Sequence, residues 1–210
     1  MDFLSEVFSL FIKGGLVMYP LLFCSVLVVA ITVERWFYYN KNEENTAELL
    51  QKIKNALQNK QERNKIQAIC EASTGPVAAM IAAGLNYPGY NRSLMKDAME
   101  EEALHQIGQL KVRLNYLDTI VTLSPLLGLL GTVIGMINSC SVLSVSSGQP
   151  FAITAGVAEA LIATGTGLAI AIMALFAHSY LTARVDYVIS GMEKSASRFL
   201  NFLPWEGETK

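Results

Sequence analysis

The sequence predicts an all-α membrane protein with three transmembrane helices and long helices extending into the cytoplasm. Three observations carry that reading. The 210 residues are 52% hydrophobic and only 16% charged, whereas a soluble domain usually carries about 25% charged residues. Charged residues are missing from two long stretches. The lysines and arginines are concentrated on one side of those stretches.

The first gap runs from Leu16 to Val33. At about 1.5 Å per residue, such a helix reaches about 27 Å, close to the hydrocarbon thickness of a bilayer. It reads as a retained anchor rather than a cleavable signal: no basic region precedes it and no A-x-A site follows it. Glu34, Arg35, Trp36 and two tyrosines follow instead, as at a membrane interface. Transmembrane helix 1 is therefore placed at 16–38, after a short extracytoplasmic or interfacial helix at 1–15.

The second gap is longer, because Glu159 is the only Asp, Glu, Lys or Arg between Asp118 and Arg184. It can cross a bilayer twice, around the small polar run SVSSGQP (Ser144 to Pro150). Helix 2 is placed at 119–143, the loop at 144–151 and helix 3 at 152–183. Eleven of the sixteen Lys and Arg lie between Arg35 and Arg113, and four more follow Ala183. The positive-inside rule puts 39–118 and the tail 184–210 in the cytoplasm, with the N-terminus and the 144–151 loop outside.

The cytoplasmic segment reads as helical. Leu49, Ile53 and Leu57 recur at four-residue spacing, and Ala103, Ile107, Leu110, Leu114, Leu117 and Val121 form a seam spaced by three and four. That seam predicts one unbroken helix from about Ser93 into the membrane, with Asp97 and Glu100 to Glu102 near its positive dipole end. Gly75-Pro76 and Tyr87-Pro88-Gly89 punctuate the helices before it.

Composition also excludes whole classes. A formal net charge of -2 leaves no basic surplus to bind nucleic acid. Cys24, Cys70 and Cys140 are odd in number and lack a CxxC, so neither a disulfide framework nor a zinc site is expected, and they read as small apolar fillers. There is no P-loop, GxSxG, HExxH or GxGxxG, so no enzyme site and no cofactor or metal is expected.

Glu159 is the sharpest candidate. A carboxylate within an uncharged span costs a few kcal/mol even on lenient insertion scales, and such residues usually face a bundle interior or a water path. Exchanging a proton is one reading; a protonated Glu159 that merely bonds a neighbouring helix is the other. Gly156, Ala160, Ala163, Gly167 and Ala171 form a small-residue stripe on helix 3, and Gly128, Gly131 and Gly135, with a GxxxG, do so on helix 2. Thr166 lies seven residues after Glu159 on nearly the same face, while Thr164 is rotated by about 140°. Each threonine can equally return its hydroxyl to its own helix. His105, one turn after Glu101, reads as one half of a solvated pair. His178, 19 residues beyond Glu159, is too far along one helix to touch it.

The motifs SPLLGLLGTVIGMI (Ser124 to Ile137) and AGVAEALIATGTGLAIAI (Ala155 to Ile172) resemble the MotA/TolQ/ExbB proton-channel family. FIKGGLVMYPLLFCSVLVVAITVER (Phe11 to Arg35) and GPVAAMIAAGL (Gly75 to Leu85) are similar to its ExbB branch. The resemblance implies a ring-forming subunit, a pentamer around two copies of a single-span partner of ExbD, TolR or MotB type, in the inner (cytoplasmic) membrane. It implies that proton motive force drives work on a distant target, through a TonB-like transducer in the ExbB case. It maps Glu159 onto the helix 3 glutamate, Thr164 onto the threonine of EALxAT and Thr132 onto that of GxxGTV, all lining the channel. Thr166 joins that lining on spacing alone, and the glycines named above pack the helices. Leu16 and Met173 stand where the family often has proline, so the resemblance carries no helix 3 kink here. A TolQ-type motor for envelope integrity and a non-conducting membrane scaffold remain as alternatives.

Overall fold

The computed structural model describes residues 11–41, 46–58, 63–73, 75–86, 91–145 and 150–203. Its helices are α1 (Met18–Lys41), α2 (Thr46–Gln58), α3 (Arg63–Glu71), α4 (Pro76–Leu85), α5 (Arg92–Lys111), α6 (Leu114–Val145) and α7 (Pro150–Phe202). No strand occurs among the described residues. Three stretches are long and apolar enough to cross a membrane: Met18–Asn40, one within Arg92–Ser141 and one within Thr154–Phe202. Most of the expected N-terminal helix, the Tyr87-Pro88-Gly89 turn, the middle of the 144–151 loop and the last seven residues lie outside the described residues.

Packing divides the chain into two units, Met1–Glu34 with Arg113–Leu181 and Arg35–Val112 with Thr182–Lys210. In the first unit each helix buries one stripe spaced by three and four. Val17 just before α1 and Leu21, Cys24, Val28 and Ile31 on it form the first, Ser124, Gly128, Gly131, Gly135 and Ser139 that on α6, and Gly156, Ala160, Ala163, Gly167, Ile170 and Ala174 that on α7. The opposite faces are exposed and apolar: Leu22, Phe23, Val26 and Val29 on α1, Leu126, Leu129 and Val133 on α6, Ile172, Met173 and Phe176 on α7. In water so large an apolar surface would be a liability. In hydrocarbon, where only internally bonded helices can span, it is the surface required. The chain is a multi-pass membrane protein by this surface and these spans. Neither Pro125 nor Met173 interrupts its helix.

The second unit has an aqueous-style core. Leu49, Leu50 and Ile53 of α2, Ile66 and Cys70 of α3, Met80, Ile81 and Leu85 of α4, Met95 and Met99 of α5, and Met192, Phe199 and Leu200 of α7 make one buried cluster. Each large side chain so buried contributes about 2 kcal/mol relative to exposure. The helix starts follow from local chemistry. Gly75 is extended and Pro76 opens α4, where a missing N–H costs nothing. Asn91 caps α5, its side-chain oxygen accepting from the N–H groups of Ser93 and Leu94 at 3.0 and 3.3 Å. At the exposed start of α2, the hydrogen-bonded Lys52 ammonium, 2.8 Å away, holds the Glu48 carboxyl below the usual carboxylate range. That small contribution exists above the ordinary glutamate pKa and disappears as pH falls through the lowered one.

Two expectations are corrected. The helix expected to run unbroken from about Ser93 into the membrane stops at Lys111 and restarts at Leu114, with Arg113 left-handed at φ 69°. The interruption is held by partners distant in sequence. Arg35 donates to the Gln109 carbonyl at 3.3 Å, which also accepts the Val112 N–H, and Tyr39 donates to the Leu110 carbonyl at 2.8 Å, so carbonyls at the end of α5 find partners on α1. Arg113 itself pairs with Glu34. The acids expected at the dipole end of α5 also fall too late: its first turn carries none, and Asn91 does that work. The expected extension of a span as a long helix is seen in α7, which continues past Ala183 to Phe202, where Val185, Met192, Ser195 and Phe199 are buried and no proline intervenes.

Replacing Tyr39 with Phe is expected to cost about 1 kcal/mol, the ordinary worth of such a hydrogen bond. Amide exchange around Leu110 to Val112 should accelerate. Unchanged exchange would mean that the end of α5 is held by other contacts.

Candidate functional site

Small residues decide where α6 and α7 meet. A Cβ on Gly167 would lie 2.6 Å from the Ser124 carbonyl oxygen, one on Gly135 would lie 2.8 Å from the Gly156 oxygen, and one on Gly128 would lie 3.0 Å from the Thr164 Cα. The two backbones are therefore in van der Waals contact along two to three turns. Without a hydrophobic drive between helices in lipid, such close packing and interhelical hydrogen bonds are what hold spans together. All five glycines singled out in the sequence, Gly128, Gly131, Gly135, Gly156 and Gly167, are buried at this seam.

The three threonines behave differently from one another. Thr164 reaches across, its Oγ1 donating to the Gly128 carbonyl at 3.0 Å. Thr166 returns its hydroxyl to Ile162 at 2.8 Å, and Thr132 returns its own to Leu129 at 2.6 Å. Only Thr164 escapes the local bond that helical threonines commonly make. Spacing could not single it out, because its partner lies 36 residues away.

Glu159 is half-buried one position before Ala160 of the stripe. Its side chain lies against Gly15, in the turn that leads into α1: a Cβ on Gly15 would overlap the carboxyl, with Glu159 Cδ at 2.8 Å and Cγ at 3.2 Å. Gly15 has φ +72°, where glycine alone is unstrained. Glu159 takes part in neither of the ion pairs Glu48–Lys52 and Glu34–Arg113. No three metal-ligating side chains converge among the described residues. Sequence reasoning missed Gly15. The Gly14-Gly15 pair does announce a turn, but nothing local announces that the turn meets a glutamate 144 residues away.

His105 sits 2.9 Å from Gln109 Nε2, in the second unit. Cys24 and Cys70 are buried, as small fillers are, whereas Cys140 is exposed.

What this arrangement can do chemically is limited and specific. It offers a carboxyl that pairs with no counter-charge among the described residues, beside a tight helix seam with an interhelical threonine bond. A lone carboxyl within an apolar span is able to bind and release a proton.

Comparison with known proteins gives the family. The chain is 29% identical over 195 residues to a putative biopolymer transport protein ExbB homolog of Methanothermobacter thermautotrophicus, covering 91% of this chain and 68% of that one. It is 31% identical to the biopolymer transport protein exbB1 of Vibrio cholerae, over 85% of this chain and 80% of the relative. The Tol-Pal system protein TolQ of Haemophilus influenzae is 38% identical, over 43% of this chain and 40% of its own. The family model of the MotA/TolQ/ExbB proton channel family matches residues 40–194, from the end of α1 to the far part of α7. With the ExbB relatives aligned along most of its length, the chain belongs to the MotA/TolQ/ExbB proton channel family.

Proposed function

We propose that the chain is the ring-forming subunit of an inner-membrane, proton-driven motor of ExbB type, which energises transport at the outer membrane through a TonB-like transducer. The observation that carries this reading is Glu159: the one charged residue of a long uncharged stretch, set beside a seam where two helices touch backbone to backbone. In the proposed assembly, Glu159 exchanges protons with a carboxyl on a single-span partner of ExbD or TolR type, held in a pentamer of this chain. Thr164, Thr132 and Thr166 supply polar lining, and Gly128, Gly131, Gly135, Gly156 and Gly167 keep the helices close. The N-terminus and the 144–151 loop face outward, while 39–118 and the tail lie in the cytoplasm. The TolQ relatives support a second reading of the same chemistry, a motor for envelope integrity with a different partner and target.

The test is native mass and subunit ratio of the complex purified gently from its own membrane. The expected result is several copies of this chain holding fewer copies of a single-span protein with a transmembrane aspartate. The far domain of that protein would separate ExbB duty from TolQ duty. A lone subunit, or a ring with no such partner in an active preparation, would overturn the motor and favour a scaffold.

A further inference from the structure

We propose that Gly15 is a positioning residue for Glu159: its left-handed turn lays bare backbone along the carboxyl, fixing the side chain's direction and closing that side of it. The proposal rests on the proton-exchange reading of Glu159. The contact is built from both partners. A Cβ on Gly15 would meet the glutamate from Cγ to the carboxyl oxygen, so the whole end of that side chain runs along the Gly15 Cα. The turn is docked at its other residues too. A Cβ on Gly14 would approach Ile162 at 3.2 Å, three residues after Glu159 on α7, and one on Gly131 of α6 would stand 3.7 Å from Val17. The turn is closed by hydrogen bonds from the Gly14 N–H to the Phe11 carbonyl and from the Met18 N–H to the Gly15 carbonyl. Residues 14 to 17 are thus seated on the α6–α7 seam and pass over its one carboxyl. Two needs meet at Gly15: a positive φ, and the absence of any side chain where the carboxyl lies.

The functional consequence is directional. With backbone packed along one side, the carboxyl must trade its proton on the remaining side, towards the seam or a partner, unless the turn lifts. Lys13, exposed two residues before Gly15, is the one charge of the described turn. Between Asp118 and Arg184, α6 and α7 bring no other charge than Glu159 itself.

The experiment uses the intact complex in lipid. Gly15→Ala adds a Cβ and strains the turn, whereas Gly15→Asn adds a Cβ but tolerates positive φ. Both are expected to displace the midpoint of the flux-against-pH curve by about one unit, a common size for perturbation of a carboxyl by its surroundings. Gly108→Ala, with open space around its Cβ, should leave the curve in place. An unmoved curve in Gly15→Ala, or a moved one that Gly15→Asn restores, would overturn positioning by contact.

A second measurement needs no variant at Gly15 to fold. Solid-state NMR on complex labelled at glycine Cα and glutamate Cδ should show a cross-peak to a left-handed glycine that vanishes in Glu159→Gln. Absence of the cross-peak sinks the proposal whatever the flux does. Full flux in Glu159→Gln would instead sink the proton-exchange reading and leave the contact standing.

Discussion

Glu159→Gln is expected to leave the complex assembled while proton flux falls by roughly 100-fold or more, the low end of what a positioned proton-transfer group contributes. The substitution keeps the volume and the hydrogen-bonding capacity of the side chain and removes only its ability to ionise. Any role in locking helices together survives it. Glu159→Leu separates the two roles further: a scaffold loses assembly with Leu and tolerates Gln, while a channel loses flux with both at an intact complex. The energetic reason one carboxyl can matter so much is the membrane field, worth about 2.3 kcal/mol per charge per 100 mV. A proton held at Glu159 removes a charge from the seam. That changes which contacts a partner helix prefers and so biases a two-state step. Flux measured in reconstituted vesicles, beside native mass, decides the matter. Wild-type flux in the Gln variant would remove Glu159 from the mechanism.

The spans and the carboxyl were legible because their signals are local or cumulative. A run without charges, a change in Lys and Arg density, and glycines three or four apart can each be read within one helix. The structural features that could not be read all depend on partners far away in sequence. Val112 and Arg113 look like helix interior until Arg35 reaches the Gln109 carbonyl, Tyr39 the Leu110 carbonyl and Glu34 the Arg113 side chain, each across more than seventy residues. Leu110 and Leu114 stand four apart in sequence across the interruption and each is buried, so periodicity alone conceals it. Thr164 differs from Thr166 only by the Gly128 carbonyl it meets. The resemblance to a family singled out Thr164 where spacing favoured Thr166. Neither route reached Gly15, whose significance lies wholly in a contact between the turn before α1 and the glutamate on α7.

Gly167→Ala is the change expected to damage the fold most for its size. Two effects of opposite sign compete. Within a helix, alanine is favoured over glycine by about 1 kcal/mol. At Gly167, however, the new methyl would stand 2.6 Å from the Ser124 carbonyl oxygen and 3.1 Å from the Gly128 Cα, both backbone atoms that cannot swing aside. Overpacking of a tight contact typically costs 1 to 3 kcal/mol, roughly, and here it also pries Thr164 away from the Gly128 carbonyl. With that hydrogen bond worth about 1 kcal/mol, clash and lost bond together outweigh the propensity, for a net loss of about 2 kcal/mol. Gly191→Ala isolates the other term, since its helix has open space at that Cβ, and it should gain up to about 1 kcal/mol. Melting of the two purified variants in detergent, against the unsubstituted protein, should move in opposite directions. If Gly167→Ala melts at or above the unsubstituted protein, α6 and α7 can part at little cost, and the seam is a sliding contact rather than a fixed one.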